Sequence, residues 1–231
     1  LIKYGARNAT AQETAAGALS VLAQRAENRG MIADADGIEH LVRLFDGATA
    51  ETKELVVQAL LTLAIENKEN QFIIASKLCH LLSSPVTRVE AQEYATRVIY
   101  TMSLDRDNLG GSVRDALSRA LAIKHIVRQL EIGSEKSQNM ASNALAQIAL
   151  MSSGLRVQVT QHLVSLLSSP NPDVRQRAGA ALRDNSEGGE AGGDTKKVQR
   201  DAVMSGGVQP LVELLQSGLK DGRVEAQEYS L

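Results

Sequence analysis

A chain of 231 residues is long enough for a sizeable core, and its 43% apolar share comes almost wholly from Ala, Leu, Val and Ile, with 3% aromatics and no Trp. A formal charge of −2 excludes a whole-chain electrostatic pull toward DNA, RNA or anionic lipid. The single cysteine, Cys79, excludes an intramolecular disulfide and fits a reducing compartment, and no apolar run approaches the roughly 20 residues of a membrane span.

Helical periodicity fills the chain. Residues 10–26 read as a long helix with Ala15, Ala18, Leu19 and Leu22 inward, and Gly17 inside it reads as a point of close helix approach. Residues 28–35 form a short helix leading into Gly37. The clearest unit follows at 37–65. Ile38, Leu41, Val42, Leu44 and Phe45 make one apolar face; Asp46, Gly47 and Thr49 supply a turn and a cap; Val56, Ala59, Leu60 and Leu63 make a second stripe. Two helices cannot bury both stripes, so the unit needs neighbours.

A short, short, long order then recurs. It reads 68–75, 76–83 and 86–104; next 109–120, 123–132 and 135–151; next 155–161, 162–168 and 172–184; last 195–204, 208–216 and 222–231. Ser84 before Pro85 and Asn171 before Pro172 read as N-caps followed by Pro at the first helical position, where the missing N–H has no partner to lose. The Gly-rich, acidic stretch at 185–194 (NSEGGEAGGD) reads as a flexible insertion. It lacks the Gly-Lys-Ser/Thr of a phosphate-binding loop. The start at Leu1 and the end within a helical pattern at Leu231 read as a fragment, leaving terminal repeats or an acylation signal outside it.

One motif recurs five times: HLVRLF at 40–45, KLCHLL at 77–82, HIVRQL at 125–130, HLVSLL at 162–167 and PLVELL at 210–215. Successive copies are 37, 48, 37 and 48 residues apart. LLSSP at 81–85 returns at 166–170, an offset of 85. The period is about 40 residues, with a doublet of 85 that is either an old tandem duplication or chance.

These residues resemble the armadillo repeat family. Gly37 with Leu41, Val42 and Leu44, and Gly207 with Leu211, Val212, Leu214 and Leu215, resemble the second-helix motif G-x-x-x-L-V-x-L-L. Val174, Ala178, Ala181 and Leu182, together with Ala141, Ala144, Leu145 and Ile148, resemble the third-helix motif. Asn28-Arg29 and Glu69-Asn70 resemble the family's loop into the next first helix. The resemblance covers the whole chain and implies an all-α, right-handed α-solenoid of three-helix repeats. HEAT-type two-helix repeats are the alternative. The chain then divides into a partial repeat at 1–36, repeats at about 37–76, 77–121, 122–161 and 162–205, and a truncated repeat at 206–231.

The resemblance further implies a concave groove lined by third helices that binds an extended peptide or a partner protein. The importin-alpha branch carries Trp and, four residues on, Asn in that groove. Here the Trp slots hold Gly17, Gln58, Asn143 and Ala180, and the Asn slots hold Val21, Thr62, Gln147 and Asp184. The groove residues are therefore not those of that branch. Gln58, Thr62, Asn143, Gln147 and Asp184 are the candidate partner-binding residues, since side-chain amides pair with a peptide backbone. The alternative is that they are ordinary solvated polar positions.

No catalytic constellation emerges. His40, His125 and His162 occupy one slot in different repeats, about 10 Å or more apart for stacked helices, too far for shared metal ligation. Cys79 and His80 point about 100° apart on a helix, so a buried structural cysteine is expected. Glu51, Glu54, Glu90 and Glu93 lie among Lys53, Arg88 and Arg97 and read as solvated faces. Tyr4, Tyr94, Tyr100, Tyr229, Phe45 and Phe72 show no per-repeat position for base stacking. The expectation is a cytoplasmic or nuclear non-enzyme, without cofactor, that scaffolds a protein or peptide partner. Alternatives are a structural subunit joined through its ends and convex face inside a large complex, and a membrane-tethered adaptor.

Overall fold

A computed structural model describes the backbone of residues 9–104, 112–187 and 193–221, and the side chains of those spans except 184–198 and 217–221. Among the described residues every regular element is an α-helix. In chain order they are α1 (Ala9–Leu22), α2 (Ala26–Asp34), α3 (Gly37–Arg43), α4 (Ala50–Ala64), α5 (Lys68–Ser83), α6 (Val89–Leu104), α7 (Val113–Arg119), α8 (Ala122–Ile132), α9 (Glu135–Met151), α10 (Ser153–Leu166), α11 (Pro172–Glu187), α12 (Gly193–Met204) and α13 (Val208–Asp221).

The long helices α1, α4, α6, α9 and α11 pack each on the next, forming one layer of the stack. The remaining helices form the other layer, with α5 on α7 and α8, and α10 on α12. One apolar cluster runs without a break from Ala16 to Leu214. That is the core of an α-solenoid, where each repeat buries its stripe against its neighbours rather than around a centre.

The 85-residue doublet is real in the backbone. Asp36, Leu121 and Gly206, spaced by 85, are all left-handed, with φ of 59°, 54° and 81°. Each breaks the chain between a first and a second helix. Directly after two of them the backbone closes tightly: a Cβ on Gly37 would stand 2.6 Å from the Ile32 carbonyl oxygen, and one on Gly207 2.9 Å from that of Ala202. The caps share the offset. Thr49 and Ser134 accept from Thr52 N and Ser137 N, while Asn67 and Ser152 accept from Asn70 N and Leu155 N.

Between those breaks the expected helix pairs 68–75 with 76–83, and 155–161 with 162–168, are single helices, α5 and α10. No residue there turns left-handed, so the i to i−4 ladder runs through. Two further expectations change. Ser84 caps the C-terminus of α5, and Pro85 sits in a turn before α6 begins at Val89. Asn171 caps as expected, its Oδ1 accepting from Asp173 N at 2.9 Å. A Cβ on Gly17 would meet only Leu55 Cδ1 at 3.8 Å, an ordinary contact, so close approach does not require that glycine. Of the Gly-rich stretch 185–194, residues 185–187 close α11, 193–194 open α12, and 188–192 lie outside the described residues.

Asn28-Arg29 and Glu69-Asn70, expected in loops, lie in the first turns of α2 and α5, and side chains of those turns cap the C-termini of the preceding long helices. Asn28 Nδ2 donates to Leu22 O at 2.9 Å, and the buried Arg29 donates to Ala23 O at 2.9 Å, Gln24 O at 3.3 Å and Ile65 O at 2.7 Å. One repeat on, Asn70 Nδ2 donates to Leu63 O at 3.0 Å and Gln71 Nε2 to Ala64 O at 2.7 Å. Last-turn carbonyls with no helical partner are thereby satisfied.

Candidate functional site on the third-helix layer

The register that aligns Val56, Ala59, Leu60 and Leu63 of α4 aligns Ala95, Val98, Ile99 and Met102 of α6, all buried. It also aligns Ala141, Ala144, Leu145 and Ile148 of α9. The residue before the paired apolar positions is then Gln58 on α4, Arg97 on α6 and Asn143 on α9. Four residues on, the row is Thr62, Thr101 and Gln147. Gln58 and Asn143 are exposed; Thr62, Arg97, Thr101 and Gln147 are half-buried.

Gln58 and Thr62 therefore do not adjoin Asn143 and Gln147, because α6 lies between α4 and α9. The ladder is completed by Arg97, which the sequence reading placed on a solvated face, and by Thr101, which it did not single out. The signal for them was the apolar stripe of α6. Asp184 lies on α11, and its side chain is outside the described residues. The two threonines are bonded back into their helices, Thr62 Oγ1 to Gln58 O at 2.8 Å and Thr101 Oγ1 to Arg97 O at 3.0 Å. The amides of Gln58, Asn143 and Gln147 are thus the groups best suited to a peptide backbone.

Beside this ladder sits a charged and aromatic cluster. Arg97 grips Glu54 of α4 with two nitrogens, at 2.6 and 2.9 Å. Tyr94 donates to the same carboxylate at 3.3 Å, and its ring stacks on Phe45 with centroids 5.4 Å apart. Lys53 Nζ and the Arg97 guanidinium lie 5.6 and 5.9 Å from the Tyr94 ring centre. Lys53 is not solvated: it is 3% exposed and pairs with Glu90 at 2.7 Å. Hydrogen bonding from Arg97, and then its charge, outweigh burial and hold the Glu54 carboxyl below its usual range. Burial, followed by the Glu54 charge, raises the Tyr94 phenol. Across the next joint Glu93 of α6 accepts from Ser134 Oγ at 2.5 Å and faces Lys136 of α9 at 3.8 Å. The face is a set of cross-repeat ties with exposed amides between them.

The other candidates separate. His40, His125 and His162 sit on α3, α8 and α10. Burial, then Lys124 and Arg128, lowers the pKa of His125. Cys79 is buried, and burial pushes its thiol up to about 12, which removes thiolate character beside the exposed His80. Among the described residues no group of three or more His, Cys, Asp or Glu could hold a metal ion, and no helix is long and apolar enough to cross a membrane.

No family model and no curated protein matches the sequence. Solved structures do. An engineered protein from a structural genomics consortium is 25% identical with a TM-score of 0.52, covering 99% of this chain and 94% of its own. A second engineered protein from that source is 25% identical with a TM-score of 0.51, covering 99% of this chain and 55% of its own. A designed armadillo repeat protein in complex with the peptide (KR)4 is 21% identical with a TM-score of 0.51, covering 97% of this chain and 92% of its own. The fold is an armadillo-type α-solenoid.

Proposed function

We propose that the chain is a non-catalytic scaffold that holds a segment of a partner protein along its third-helix face. The observation that carries this reading is the ladder Gln58, Arg97 and Asn143, one residue per successive helix at a common register, with Gln58 and Asn143 exposed and Arg97 half-buried against Glu54. An extended segment laid across α4, α6 and α9 would meet the Gln58 amide, the Arg97–Glu54 pair and the Asn143 amide in turn. The cross-repeat pairs Glu54–Arg97 and Glu93–Lys136 support it by fixing the rungs relative to one another. The designed armadillo protein binds a peptide, but at 21% identity the likeness carries the fold alone. Affinity sums over rungs, so single substitutions each cost little. One free cysteine supports a reducing compartment, the cytoplasm or nucleus.

The test is affinity purification from native extract with wild type and with the quadruple variant Gln58→Glu, Thr62→Glu, Asn143→Glu and Gln147→Glu. Circular dichroism first establishes that the variant stays helical. Loss of a captured partner from the variant supports the groove. Equal capture by both sinks it and favours the second reading, a structural subunit held by its ends.

A further inference from the structure

We propose that the cavity between α10, α12 and the start of α13 is a binding site for an aromatic side chain of a partner protein. Its volume is about 440 Å³, and Val157, Val164, Met204 and Pro210 supply apolar walls. Gln161 and Ser168, both exposed, stand at its rim.

The internal 85-residue register identifies what such a cavity takes. Val157 and Met204 stand in the slots of Phe72 and Arg119. In that earlier copy the two side chains meet: the Arg119 guanidinium lies 3.9 Å from the Phe72 ring centre, so the ring sits between α5 and α7. The earlier copy thus fills the slot with a ring of its own. In the later copy the ring is cut back to a valine, and two neighbours shrink with it, Gly206 replacing Leu121 and Pro210 replacing His125. Gln161 and Asp201 are larger than Ser76 and Ala116 in their slots, but Gln161 is exposed and Asp201 turns to Arg156 at 3.4 Å, so neither closes the cavity. Both slots lie between described helices, α5 with α7 in one copy and α10 with α12 in the other.

The lining gives the chemistry of the occupant. Met204 is 78% exposed, and its flexible thioether can close on a ring edge, where sulfur–aromatic contacts are favourable. It takes the covering place that Arg119 holds over Phe72. At the mouth the Gln161 amide and the Ser168 hydroxyl can pair with the peptide groups that flank the ring. An apolar slot with peptide-pairing groups at its mouth fits an aromatic residue within a chain better than a free aryl compound. The site lies in the layer of first and second helices and does not depend on the third-helix reading.

The probe is N-acetyl-phenylalaninamide, read by NMR on the full chain labelled at its methionine methyls, with the Met204 signal identified by its loss in Met204→Leu. A ring in the slot should move that signal by its ring current, saturating with a Kd on the order of 1 mM. N-acetyl-leucinamide lacks the ring and benzyl alcohol lacks the flanking amides, so each should bind more weakly by about fivefold. Val157→Phe rebuilds the filled slot of the earlier copy. It should shift the Met204 signal by itself and weaken the probe about tenfold. Circular dichroism checks the fold, and Ser168→Trp at the exposed rim should block the probe in the same way if Val157→Phe unfolds. The proposal is overturned by no saturable shift, by leucinamide binding as tightly as the phenylalanine probe, or by undiminished binding in the folded variants. Benzyl alcohol binding as tightly also overturns it, giving the cavity to a free aryl compound.

Discussion

Arg97 on α6 holds Glu54 on α4 through two nitrogens, at 2.6 and 2.9 Å, and this pair ties two rungs of the candidate binding face. The Glu54 pKa is lowered, so the stabilisation is present above the ordinary carboxylate value and is lost as pH falls through the folded value. Both side chains are more than a third exposed, at 36% and 46%, so solvent screening holds the pair to about 0.5 kcal/mol. Glu54→Gln should be less stable than wild type by that amount at neutral pH, with the difference vanishing in acid. Urea melts across pH 2–7 check this. A constant difference would mean that the charge is irrelevant.

Leu121 is an exposed, non-glycine residue with φ of 54° in the slot where Gly206 takes the same turn. A left-handed leucine costs about 1–2 kcal/mol, partly offset by the freedom glycine gains when unfolded. Leu121→Gly should therefore raise stability by about 0.5–1 kcal/mol. A melting temperature that falls would show that Leu121 packs more than its exposure implies.

Arg29 satisfies three carbonyls at the ends of α1 and α4. Arg29→Met keeps most of the buried stem and abandons those acceptors, at a cost of about 2–3 kcal/mol. Arg29→Lys should restore less than half, since one ammonium cannot reproduce the spread of a guanidinium. Denaturant midpoints of the three proteins test the ordering.

Cys79 should resist alkylation at pH 8 in the folded chain, being 3% exposed with its thiol raised to about 12. It should label fully in denaturant. Fast labelling under native conditions would mean that α5 opens locally, against its place in the continuous core.

Much of this was written in the sequence, for local reasons. Thr49, Asn171 and the apolar stripes of α4 and α9 announce caps and faces through neighbours a few residues away. The uninterrupted α5 and α10 were not legible, because a break depends on one residue turning left-handed, and the repeat pattern alone does not tell that no residue near 75–76 or 161–162 does so. Pro85 misled for a related reason: it fits a helix start but sits four residues before one. Arg97 was hidden because its role is set by Glu54, 43 residues earlier and one helix away. The cross-repeat partner, rather than the charge itself, separates a rung from a solvated side chain.

The most direct test of the third-helix reading places a photo-crosslinking amino acid singly at Gln58, at Asn143, at Met31 on α2 and at Lys124 on α8. Each protein is irradiated in native extract. The account predicts that one partner is trapped from both Gln58 and Asn143 and not from Lys124, with peptide mapping placing the two crosslinks along one continuous segment. A partner trapped from Met31 or Lys124 while Gln58 and Asn143 remain silent would contradict it.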